Sequence, residues 1–167
     1  MKDPQDVLDG LDDVIERLHE AATGGVVIVE GLRDAAALAR LGVRGNISVL
    51  HRGATLLEFC EQLASRERNI TILVDWDTKG DALAKRLREG VTQGAIKVDT
   101  RTREDLRRLT RGSIKAVEEL PSFYRRVQAA AVSKRPVIKL PKDWKARKER
   151  AQLLSAARQM RASKRDP

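Results

Sequence analysis

Short, β-branched apolar runs alternate with amphipathic stretches along the first hundred residues, and this alternation constrains the fold most tightly. Val26-Val27-Ile28-Val29 is followed by Glu30-Gly31, Ile47-Ser48-Val49-Leu50 by a polar loop, and Ile70-Thr71-Ile72-Leu73-Val74 by Asp75. A fourth run is Ala95-Ile96-Lys97-Val98. Runs this short and this apolar read as strands buried on both faces, the signature of a parallel sheet. Between them lie helical patterns. Asp34 opens one through Ala35–Leu41, with Gly42 as its terminator, and Thr55 caps one carrying Leu56, Leu57, Phe59, Cys60 and Leu63. A third carries Ala82, Leu83, Leu87 and Val91 inward. An amphipathic helix over 6–22 precedes them all, with Leu8, Leu11, Ile15, Leu18 and Ala22 in its stripe. Strand–helix alternation at this spacing means βαβ units with right-handed crossovers.

The chain changes character after Asp99. Residues 1–100 hold 13 Lys and Arg against 17 Asp and Glu, a net charge of −4. Residues 101–167 hold 20 against 7, a net of +13. Helical patterns over 104–111 and 113–131, the second interrupted at Pro121, carry much of this charge, and 142–163 is a last, thinly apolar one. Four segments follow: an N-terminal helix (1–23), an α/β core (24–100), a basic helical extension (101–135) and a basic tail (136–167). Such asymmetry points to a polyanion, with nucleic acid foremost, although a solvated helix surface has the same composition. No apolar run approaches the ~20 residues of a membrane helix. The acidic start MKDPQDVLDG has no apolar signal region, so a cytoplasmic protein is expected. One cysteine and two histidines make a zinc site of nitrogen and sulfur ligands improbable, so metal chemistry would run on oxygen ligands.

Carboxylates cluster at the strand ends. Glu30 closes the first strand, Asp34 lies one helical turn on, Asp75 closes the third strand and Asp77 follows two residues later. Ligands of open α/β sheets bind at the carboxyl ends of strands, so Glu30 and Asp75 should emerge on one edge. Carboxylates packed together repel unless a cation is present, and Mg²⁺ is the hard ion that suits them. Helix capping accounts nearly as well for Asp75 or Asp77 taken singly, and an Asp at a helix start such as Asp34 is more often a cap than a ligand.

Val27-Ile28-Val29-Glu30-Gly31-Leu32-Arg33-Asp34 resembles the first motif of Toprim domains, an apolar strand then Glu-Gly-x-x-Asp. Ile72-Leu73-Val74-Asp75-Trp76-Asp77-Thr78-Lys79-Gly80 resembles their second, an apolar strand then Asp-x-Asp. The resemblance covers roughly residues 24–100. Toprim domains serve in topoisomerases, bacterial-type primases, repair proteins and the ribonuclease that matures 5S rRNA. This chain is similar to the small stand-alone archaeal members and to that ribonuclease. The resemblance implies a Toprim-like (Rossmann-like) α/β fold, a parallel four-stranded sheet flanked by helices with basic C-terminal helices added. It implies that Glu30, Asp75 and Asp77 are catalytic and, with Asp34, hold Mg²⁺ or Mn²⁺ in its place. Trp76 departs from the small residue or proline of many relatives; it packs, or stacks on a base or sugar.

A basic surface then brings a polyanion to an acidic centre. Arg33, Arg52 and Lys79 lie on loops after three different strands. Arg101, Arg103, Arg107, Arg108, Arg111, Arg125 and Arg126 follow in the extension, and Lys145, Arg147 and Lys148 in the tail. Five aromatics in the whole chain leave little for base stacking, which favours structured RNA over DNA, read through backbone and shape. The leading expectation is a Mg²⁺-dependent nuclease, or related phosphotransfer enzyme, of the rRNA-processing type. The alternative is a non-catalytic RNA-binding or ribosome-associated protein on the same scaffold. A phosphatase of the haloacid-dehalogenase type also uses Asp-x-Asp after a strand, but Lys79 stands where its threonine belongs.

Overall fold

The structure, a computed structural model, describes residues 3–50, 53, 55–92 and 96–134. The described elements are α1 (Pro4–Gly24), β1 (Val26–Val29), α2 (Leu32–Arg40), β2 (Ile47–Val49), α3 (Leu56–Arg66), β3 (Asn69–Ile72), α4 (Thr78–Val91), β4 (Lys97–Asp99), α5 (Arg101–Thr110), a 3₁₀ helix (Val117–Glu119) and α6 (Leu120–Lys134). The four strands are parallel in the order β2-β1-β3-β4. The α/β Toprim-like class expected from sequence is the one found. No helix among the described residues is long and apolar enough to cross a membrane.

Burial follows the period-two alternation of strands. Val27, Val29 and Leu73 face a core layer with Leu11, Val14 and Leu18 of α1 and with Leu106, Val117 and Phe123 from the basic extension. Val26, Ile28, Ile70 and Ile72 face the other layer, with Cys60 and Leu63 of α3 and Leu87 and Val91 of α4. The first part of the basic extension is therefore core material, because α5 and α6 both pack on α1. Residue 135 and the tail, 136–167, lie outside the described residues.

Local chemistry sets the element ends. Gly42 is left-handed (φ 88°) after α2, its amide donating to Ala39 O and that of Val43 to Leu38 O, which closes the helix as a Schellman turn. Thr55 accepts from the Glu58 amide and caps α3 as expected. Two details differ from the sequence reading. Ala84, not Ala82, is buried in α4, because the helix begins at Thr78 and its inner stripe runs Gly80, Ala84, Leu87, Val91. Pro121 does not interrupt a helix; it lies in the first turn of α6, where a missing amide costs no hydrogen bond.

Candidate metal and nucleic-acid site

The strand order decides which acids meet. β1 and β3 are neighbours with Val26 opposite Ile70, so their carboxyl ends leave the sheet side by side. Glu30 Oε1 accepts a hydrogen bond from the Asp75 amide at 3.1 Å. Asp75 Oδ1 accepts from the Val117 amide at 2.8 Å. Asp34 is buried (6% exposed) and its Oδ2 accepts from the Gly31 amide at 2.9 Å, which ties the first turn of α2 to the end of β1. Asp77 caps α4, with Oδ1 accepting from the Gly80 amide at 2.7 Å. Glu30, Asp34 and Asp75 line one open cleft of about 470 Å³ with Leu32, Arg33, Val49 and Glu118; Asp77 stands outside its lining.

Burial pushes the Asp75 carboxyl up to about 6, opposed by the Val117 amide and reinforced by the charges of Glu30, Asp34 and Asp77. Asp34 is also raised, by burial first and by the Glu118 charge. A raised carboxyl binds its proton more tightly folded than unfolded. Its stabilisation is therefore complete below pH ~4 and is lost as pH rises through about 6. The metal-free chain should lose about 1–2 kcal/mol between pH 4.5 and 7.5 from Asp75, after discounting for its partial exposure. Asp75→Asn keeps an oxygen for the Val117 amide and removes the charge. Melting in EDTA should show a flatter pH dependence and a higher neutral-pH midpoint for that variant; an unchanged slope contradicts the assignment.

A hard cation fits this donor set. Glu30, Asp75 and Asp77 each engage one oxygen with a backbone amide, which orients the carboxylate and leaves a second oxygen. Among the described residues no three carboxylate, imidazole or thiol groups converge on a single point. Mg²⁺ does not need such a cage, since it is usually held by one or two carboxylates with water and substrate phosphate completing its shell.

The cations separate into groups. Arg33, Lys79 and Arg101 are exposed at the starts of α2, α4 and α5, the elements that follow β1, β3 and β4, so they share the edge that carries the acids. Arg33 lies 3.8 Å from Glu118. Arg107 pairs with Asp81 at 3.3 Å and Arg108 with Asp105 at 2.7 Å. Arg111 and Arg126 border an apolar groove with Val7, Leu109 and Phe123, and Arg125 lines a recess with Arg40 and Tyr124. None of those three lines the acidic cleft. Arg52, Lys145, Arg147 and Lys148 lie outside the described residues.

Arg103 needs correction as a surface cation. Its side chain is 4% exposed, with Nε donating to Val74 O at 3.0 Å and Nη2 to Asp75 O and Asp81 Oδ1, both at 2.6 Å. It braces the turn that carries the acids and presents no fork to a phosphate. Its position with Leu106 and Thr110, three and seven residues on along the buried face of α5, was the signal for this. Trp76 packs: it is 4% exposed and its indole N–H donates to Ile114 O at 2.8 Å. Glu118 is the cleft acid that sequence reasoning missed, being one of two adjacent glutamates far in sequence from both motifs.

A profile of the Toprim domain matches residues 25–101. A UPF0292 protein of Thermococcus gammatolerans is 44% identical over 115 residues, covering 69% of this chain and 84% of the relative. One from Methanosarcina acetivorans is 35% identical over 123 residues, covering 73% and 85%. The solved structure of a protein from Aquifex aeolicus is similar with a TM-score of 0.55 and 26% identity, covering 65% of this chain and 96% of that one.

Proposed function

This chain belongs to the UPF0292 family and carries a Toprim domain, and from that premise we propose that it is a Mg²⁺-dependent nuclease acting on structured RNA. Toprim domains work in metal-dependent processing of nucleic acids. The observation that carries the reading is the hydrogen bond joining the two motifs, from the Asp75 amide to Glu30 Oε1, at the edge where this fold class places its ligands. Asp75 and Asp77, with Glu30 beside them, would hold the ion. Bound there, Mg²⁺ supplies positive charge against a non-bridging phosphate oxygen. Glu30, with Oε1 fixed, has Oε2 left to take a proton from an attacking water or return one to the leaving oxygen. Arg33, Lys79 and Arg101 would engage flanking phosphates. Stacking is scarce on the described surface, since Trp76 and Phe123 are buried and Tyr124 is half-buried with its hydroxyl on Asp12. That supports recognition through backbone and shape, with ribosomal RNA as the substrate type and the cytoplasm as the place of action.

The test is cleavage of labelled structured RNA and duplex DNA by the full chain, in Mg²⁺ and in EDTA. Product should form from RNA in Mg²⁺ alone and fall about a hundredfold or more in Asp75→Asn/Asp77→Asn. Cleavage indifferent to both metal and substitution refutes the proposal. A binding role without turnover is the second reading, favoured by the backbone amides that already engage Glu30, Asp34, Asp75 and Asp77. Its mark is salt-sensitive RNA binding that survives the double substitution with no product in Mg²⁺. Truncation after residue 100 cannot serve as its test, because it strips Leu106, Ile114, Val117 and Phe123 from the core.

A further inference from the structure

The acids of the second motif are held in place by chain that lies beyond the Toprim match. Residues 25–101 supply Asp75 and Trp76, yet three of the hydrogen bonds that fix them come from 114–117. The Trp76 amide donates to Lys115 O at 2.9 Å and its indole N–H to Ile114 O at 2.8 Å. The Val117 amide donates to Asp75 Oδ1 at 2.8 Å. Trp76, Ile114 and Val117 are 4%, 4% and 0% exposed; the indole bond is buried and the bond to Asp75 is half-buried at the cleft. The segment is rigid at this point, since the Glu119 carboxylate accepts from the Lys115 and Ala116 amides at 3.0 and 3.2 Å and closes the start of the 3₁₀ helix.

We propose that the main-chain amide of Val117 is a positioning donor for the divalent-ion site, an inference that rests on the metal-binding reading above. A free Asp side chain must give up rotamer freedom when it binds an ion. The Val117 amide removes that freedom in advance by engaging Oδ1 of a carboxylate that lines the cleft. Donors that orient a ligating group in this way are typically worth tenfold to a hundredfold in metal affinity. The donor is a backbone atom, so substitutions that keep the amide leave it intact and only proline removes it. Position 117 accepts proline on conformational grounds: it is the first residue of the 3₁₀ helix, and Ala116 before it has φ −118° and ψ 147°, the extended geometry that precedes proline.

The experiment compares Val117→Pro with Val117→Ala in the full chain. Both shrink a fully buried side chain, the alanine variant more so, and only the proline variant loses the amide. Mn²⁺ affinity, read by electron paramagnetic resonance, should weaken about tenfold in Val117→Pro and stay within about twofold in Val117→Ala. In the unsubstituted chain, Mg²⁺ should shift the Val117 amide resonance more than those of Ala116 and Leu120. That second measurement decides the matter if Val117→Pro does not fold. Equal Mn²⁺ affinity in the two variants, or a Val117 amide that stays still while that of Asp75 moves, overturns the positioning role and leaves the site standing. An unsubstituted chain that binds no Mn²⁺ overturns the site and the positioning role together.

Discussion

Arg103→Met should lower stability by about 3 kcal/mol, which for a unit of this size moves the melting midpoint down by roughly 10 °C. The size follows from what the guanidinium touches. Nε and Nη2 donate to the carbonyls of Val74 and Asp75, in the turn just after β3, and Nη2 also meets Asp81 Oδ1. A methionine fills similar space and supplies no donor, so two carbonyls lose their partners, at about 1–3 kcal/mol for each one left dry. Asp81 is half-exposed and recovers water, which keeps the total below that of an abandoned buried charge. Arg103→Lys restores the charge but not the planar fork that reaches three acceptors, and should recover less than half of the loss. Chemical denaturation of the three proteins checks this. A methionine variant within 1 kcal/mol of the parent would mean that the bonds to Val74 and Asp75 contribute little.

Gly80→Ala should cost at least about 3 kcal/mol, against the usual expectation for a helix interior. Alanine normally gains about 1 kcal/mol over glycine there. At Gly80, in the first turn of α4, a Cβ would overlap the Asp75 carbonyl oxygen and stand 2.6 Å from the carbonyl carbon. Moving that oxygen aside would also disturb its hydrogen bond from Arg103 Nη2. The start of α4 would have to lift from the end of β3, and the Gly80 amide would leave the Asp77 carboxylate that caps it. Gly24→Ala is the contrast: it lies at the end of α1 with nothing within 4 Å of its would-be Cβ and should be neutral or stabilising by up to about 1 kcal/mol. Equal midpoints for the two variants in a thermal melt would contradict the close approach at Gly80. If Gly80→Ala folds, its Mg²⁺ affinity should also fall, since both acids of the second motif adjoin the displaced turn.

The parts of this architecture legible in sequence are those that announce themselves by side-chain type. Val26–Val29 read as a double-sided buried strand and Ile70–Val74 as the strongest strand because β-branched runs suit little else, although β3 itself ends at Ile72, and Glu30 and Asp75 fell together because both follow such runs. Thr55 and Gly42 were readable because capping and left-handed turns have strong residue preferences. What escaped acts through the main chain or against its residue type. Val117 matters to Asp75 by an amide that every residue but proline possesses. Glu118 reaches the cleft across a separation in sequence that no local pattern encodes. Arg103 sits in an Arg-rich helix where composition argued for solvent, and only its place in the stripe with Leu106 argued otherwise. Helices α5 and α6 read as a basic extension of the core because their charge is mostly positive, although Leu106, Leu109, Leu120 and Phe123 build them into the core itself.

The strand order also sets a timetable for the nascent chain. β1 can pair with β2 early, but its other edge waits for Ile70 and Ile72, and the sheet closes on that side only when Lys97–Asp99 has been made. Among the described residues the paired strands are all parallel, so the sheet itself closes through pairings distant in sequence. The side of the sheet that holds Leu73 and Trp76 is covered early by Leu11, Val14 and Leu18 of α1 and completed only when Val117 and Phe123 emerge. A growing polypeptide therefore carries Glu30 and Asp75 long before Val117, whose amide engages Asp75, has been made.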